Sequence, residues 1–90
     1  LNFMDKNILQ DRIRKLQRGE IQSKKYTDKE IMKKIEYFKN IKNVKSVDSG
    51  RISKKRWDYE IKRNTEFSSS FEKCPDLGFL RLEYIMNYGL

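Results

Sequence analysis

Residues 27–41 read TDKEIMKKIEYFKNI, and this stretch decides the fold class. Thr27 and Glu30 stand at capping-box spacing: the Thr27 hydroxyl accepts from the Glu30 amide, while the Glu30 carboxylate accepts from the Thr27 amide. Two amides that a helix start leaves without partners are thereby satisfied. A helix is predicted from Asp28. Ile31, Ile35, Phe38 and Ile41 recur every three or four residues as one apolar stripe, with Lys29, Lys33 and Lys34 outside it. The end of this helix is expected near Asn43.

Upstream, Asp5 or Asn7 caps a first helix over residues 5–18, with Ile8, Leu9, Ile13 and Leu16 at helical spacing and Gly19 as its stop. Downstream, Ser46 to Gly50 reads as a loop, and alternation from Lys42 to Val47 allows a short extended piece. Ser53 then caps a third helix that turns Trp57 and Ile61 inward. Ser69 and Glu72 have the spacing of a second capping box, for a very short helix that begins near Phe71 and ends before Pro75. Asp76 is expected to cap a last helix whose inward stripe is Leu77, Leu80, Tyr84 and Ile85, with Gly89 as its stop.

The fold class is therefore all-α, a small bundle of four to five helices. One domain over residues 1–90 is expected, divided into an N-terminal basic helix and linker (1–25) and a helix-turn-helix-like unit (26–90). Ninety residues with 37% hydrophobic and 12% aromatic side chains can bury a modest core and stand well above the composition of a charged disordered tail. The chain opens on Leu1 rather than Met, which is expected of a fragment of a longer polypeptide.

Catalysis has little to work with. There is no histidine, no glycine-rich phosphate loop, no serine elbow and no acidic group at metal-ligand spacing, so neither an enzyme nor a cofactor is expected. Asp58 and Glu60 lie on different sides of a helix and serve better as partners for Lys54, Lys62 and Arg63. Cys74 is the single cysteine. It excludes an internal disulfide, fits a reducing compartment, and reads as a small buried apolar residue. No run is apolar enough to span a membrane and no signal peptide opens the chain, so the expected location is cytoplasmic, or nuclear in a eukaryote.

Charge supplies the positive signal. Lys and Arg number 21 against 13 acids, giving a formal charge of +8, and the pI near 9.7 is in the range of nucleic-acid-binding domains. Residues 12–25 hold six cations and one acid, and residues 51–63 hold six cations and two acids; each cluster lies on or beside a helix with an apolar face. Lys54, Lys55 and Arg56 stand in the first turn of their helix, where the dipole disfavours cations. Conflicts of this kind are expected where function overrides propensity. Aromatics crowd the second half: Trp57, Phe71 and Phe79 read as core, and Tyr59 as exposed.

Residues 28–90 also resemble the helical repeat associated with homing endonucleases and other phage or mobile-element DNA-binding proteins of small helix-turn-helix type. The matching pieces are Lys29 to Phe38, Arg56-Trp57-Asp58-Tyr59, Phe67-Ser68-Ser69-Ser70, Leu77-Gly78-Phe79 and Gly89-Leu90. The resemblance implies a serine-rich entry to a recognition helix. The expected function is accordingly nucleic-acid binding, with duplex DNA favoured. Lys54, Lys55, Arg56, Lys62 and Arg63 are assigned to the phosphate backbone, and Ser69, Ser70 and Lys73 nearest the bases. Arg12, Arg14, Lys15 and Arg18 are assigned to a flanking phosphate or to dimerisation. RNA or ribosome binding uses the same charge. A small phage-type inhibitor docking onto a host protein, or an accessory domain of a larger enzyme, are the further readings.

Overall fold

The Thr27–Glu30 box forms as the spacing requires. The Glu30 amide donates to Thr27 Oγ1 and the Thr27 amide to Glu30 Oε1, each at 3.2 Å; the Thr27 amide, and then the Thr27 hydroxyl 3.2 Å from the same oxygen, hold the Glu30 carboxyl below its ordinary range. The structure, a computed structural model, describes residues 5–66 and 75–90. In chain order the described helices are α1 (Lys6–Arg18), α2 (Asp28–Asn40), α3 (Lys45–Asp48), α4 (Lys54–Glu66) and α5 (Pro75–Tyr88). No strand occurs among the described residues, so the architecture is all-α. The expected short helix near Phe71, and with it Phe67, Ser69, Ser70, Lys73 and Cys74, lies outside the described residues.

Asp5 caps α1 by accepting from the Asn7 and Ile8 amides, and Gly19, in the left-handed region, closes it. Ser53 caps α4, its hydroxyl accepting from the Arg56 amide at 3.0 Å. Gly89 follows α5, its amide bonded to the Ile85 carbonyl. These boundaries agree with the sequence.

Other expectations need correction. α2 ends at Asn40, with Ile41 already extended, rather than near Asn43. Within the segment read as a loop and a short extended piece, Lys45–Asp48 is helix α3, with Val44 before it extended. Its closing turn is a Schellman motif: the Gly50 amide bonds to Val47 O at 3.0 Å and the Arg51 amide to Ser46 O at 2.9 Å, with Gly50 at φ +78°. Only glycine takes that φ without strain, so Gly50 ends a helix rather than decorating a loop. Pro75 is the first residue of α5, where its missing N–H costs no hydrogen bond. Asp76, read as a cap, stands within the first turn and is buried.

α5 is the centre of the fold. Phe79, Leu80, Leu82 and Ile85 are all buried, so its apolar surface extends well beyond the expected stripe, and Leu77 and Tyr84 are only half-buried. Its two sides meet two clusters. Phe79, Leu82 and Ile85 join Phe38, Val44, Ile52, Trp57 and Ile61, with Trp57 fully buried; Leu80 joins Leu9 and Leu16 of α1. Phe79 stacks on Phe38 at 6.2 Å and meets Tyr26 in a T-shaped contact at 5.5 Å.

The buried Asp76 carboxylate ties the parts together. Tyr26 OH donates to Oδ1 at 2.9 Å and Arg12 Nη2 to Oδ2 at 3.3 Å, while the positive end of the α5 dipole favours the charge. One side chain thus joins α1, the α1–α2 linker and α5. Burial, and then the hydrogen bond to Asp76, push the Tyr26 hydroxyl up to about 12. Because that value lies above the unfolded one, the stability it confers is complete below pH 10 and is lost as pH rises toward 12. Urea unfolding at increasing alkaline pH, with the phenolate absorbance followed in parallel, is expected to show this loss. Asp76→Ala, which leaves Arg12 and the Tyr26 hydroxyl unpartnered, is expected to cost about 2–4 kcal/mol at neutral pH and to move the Tyr26 step down toward its ordinary value.

Candidate nucleic-acid interface

α4 carries the basic cluster, and its register divides the cations into two groups. Trp57, Glu60, Ile61 and Asn64 are buried, which turns the opposite side of a 3.6-residue helix outward. Lys55, Tyr59 and Lys62 line that outward stripe, spaced four and three residues apart, with Arg63 beside Tyr59; all four are exposed.

The cations flanking this stripe are already engaged. Lys54 Nζ lies 2.9 Å from Asp58 Oδ1, and Arg56 Nε lies 2.9 Å from Glu60 Oε2. Glu60 is 1% exposed, and Asn64 Nδ2 donates to its carbonyl at 2.8 Å and to its carboxylate at 3.3 Å. A buried carboxylate needs such partners, so Arg56 belongs to the structure. Its guanidinium also lies 5.7 Å from the centre of the Tyr59 ring. The cationic first turn of α4 is thus reconciled with the helix dipole at two of its three positions by acids one turn on. Lys55 has Tyr59 at that position and no such acid.

No ion pair engages Lys55, Lys62 or Arg63 among the described residues. Lys39 of α2 joins them, because the cleft between α2 and α4 is lined by Lys39, Asp58, Ile61 and Lys62. The sequence does not single out Lys39, since only the α2–α4 packing brings it beside Lys62. Tyr59, expected to be exposed, is 53% exposed and sits within the cation stripe.

On α1 the expected set is largely spent. Arg12 is bonded to Asp76, Lys15 lies 3.0 Å from Asp11, and Arg18 lies 3.9 Å from Glu20; Arg14 has no ion pair among the described residues. Exposed pairs of the Lys15 and Arg18 kind are weak and exchange readily for another anion. Arg12 is different, because leaving Asp76 would strand a buried charge. Ser69, Ser70 and Lys73 lie outside the described residues.

The arrangement can hold an extended anion along one helix face: cations at Lys55, Lys62 and Arg63, a further one at Lys39, and a phenol ring among them. No metal-binding group of acids occurs among the described residues, and none of the described helices is long and apolar enough to cross a membrane. The chain matches no protein-family model, no curated protein and no solved structure.

The division of the cations is testable by melting temperature. Arg56→Ala is expected to destabilise the fold by about 2–3 kcal/mol, because Glu60 stays buried without its charge partner. Lys55→Ala and Lys62→Ala, at solvated positions, are expected to change stability by less than about 0.5 kcal/mol.

Proposed function

We propose that the protein binds nucleic acid, duplex DNA by preference, through the outer face of α4. The observation that carries this reading is the row Lys55, Tyr59, Lys62 and Arg63, exposed along one rigid helix, with none of its cations in an ion pair among the described residues. From Lys55 to Arg63 the helix rises about 12 Å at 1.5 Å per residue, comparable with the width of the DNA major groove, and its cations match the charge of two facing phosphate rows. Lys39 extends the contact onto α2.

The resemblance of residues 28–90 to the repeat associated with homing endonucleases supports the same partner. It also supports reading the second half as a helix-turn-helix-like unit of a phage or mobile-element regulator, or as an accessory domain. Phosphate contacts of this kind position a protein without reading sequence, so the α4 row supplies affinity and register. Tyr59 favours RNA as the second reading, because a half-exposed ring among cations suits stacking on an unpaired base.

Fluorescence anisotropy against random duplex DNA, single-stranded DNA and duplex RNA over a salt series tests this. Duplex DNA is expected to bind with a steep salt dependence. The triple variant Lys55→Glu, Lys62→Glu, Arg63→Glu is expected to abolish binding while retaining helicity. Its neutral counterpart, with three glutamines, is expected to flatten the log–log salt slope by about 3, near 0.9 per lost phosphate contact. Unchanged affinity in the glutamate variant would remove α4 as the site, and tighter binding to single strands would favour the Tyr59 stacking reading.

A further inference from the structure

The groove between α1 and α5, about 390 Å³ in volume, differs in its charge from the α2–α5 groove and the α2–α4 cleft. The α2–α5 groove sets Glu83 against Lys33 and Lys34, and the α2–α4 cleft sets Asp58 against Lys39 and Lys62. The α1–α5 groove holds Arg14 and Arg81 and no aspartate or glutamate side chain. Neither arginine forms an ion pair among the described residues. Beside Gln10, Gln17, Tyr84 and Gly89, the remaining lining is aliphatic, with half-buried Ile13 from α1 and Leu90, which is 67% exposed, over the buried Ile85 of α5.

We propose that this groove docks a short acidic segment of a partner protein, one that places an aliphatic side chain on the floor and carboxylates on Arg14 and Arg81. Guanidinium forks match carboxylates in bidentate geometry, and an exposed aliphatic floor gains by covering itself with an aliphatic side chain. A nucleic-acid backbone would answer the charge but leave that floor in water. Tyr84 makes a poor base platform: its hydroxyl accepts from Gln10 Nε2 at 3.1 Å and its ring leans on Tyr88 at 5.4 Å. The groove is built on α1, whereas the cation row lies on the outer face of α4, so the two surfaces act independently.

Three labelled synthetic peptides of equal length test the proposal by anisotropy: one of glutamate and leucine, one of glutamate and serine, and one of lysine and leucine. The first is expected to bind, the second about tenfold more weakly, and the third not at all. The double variant Arg14→Gln, Arg81→Gln is expected to weaken the first peptide about tenfold with its melting temperature kept, and Arg81→Gln alone is expected to keep its affinity for duplex DNA. Equal binding of the two acidic peptides would reduce the groove to general attraction for anions and overturn the proposal, as would no binding, or binding indifferent to the double variant. Loss of DNA affinity in Arg81→Gln would assign the groove to nucleic acid and overturn it too. If the wild type bound the glutamate/leucine peptide but no nucleic acid, the proposal would stand and the reading of α4 would fall.

Discussion

Helix α5 has little surface it can turn to water. Phe79, Leu80, Leu82 and Ile85 are buried on both of its sides and Asp76 is buried at its start, so the chain must supply a cover for each side. α1 supplies one through Leu9 and Leu16, and α2, α4 and the segment around α3 supply the other through Phe38, Val44, Ile52, Trp57 and Ile61. Each long covering helix then has one apolar face committed inward, and its charges are left to the outside. The basic surface is the reverse side of this constraint.

Outward charge is not the same as available charge. Arg12 is held by Asp76, Arg56 by Glu60 and Lys54 by Asp58, and the first two acids are buried, which makes their cations part of the fold. Several other cations form no ion pair among the described residues, and two groups of them gather at one place each: Lys55, Lys62 and Arg63 on α4 with Lys39 beside them, and Arg14 with Arg81 across the α1–α5 groove. The formal charge of +8 speaks of a class of partner, whereas these leftovers speak of where a partner can sit. One group lies among exposed polar and aromatic surface, the other over an aliphatic floor, and the chemistry of each suits a different ligand.

Much of this fold is written in local chemistry. The caps at Asp5, Thr27 and Ser53 and the stops at Gly19 and Gly89 are visible because each rests on residues within one turn of the boundary. α3 was also accessible, through Gly50 as the closing residue of a Schellman turn, yet four helical residues carry too little periodicity to compete with a Ser- and Gly-containing segment that reads as loop. Pro75 and Asp76 are ambiguous for another reason: proline serves after a helix end and at a helix start alike, and an aspartate there is a cap or a buried anion according to what lies across from it. Tyr26 and Arg12 decide that question for Asp76, and they stand 50 and 64 residues away. The candidate site divides in the same way. That α4 presents cations follows from its spacing; that Lys55, Lys62 and Arg63 are open while Arg56 is not depends on the burial of Glu60, and the place of Lys39 depends on how two helices pack.

The most direct test of the α4 row is a titration of isotope-labelled protein with random-sequence duplex DNA, followed residue by residue through amide chemical shifts. The largest changes are expected at Lys55, Tyr59, Lys62 and Arg63 and at Lys39, with the Arg12–Asp76 contact undisturbed. Changes concentrated on α1, or none at a DNA concentration that saturates a basic binding domain, would contradict this reading.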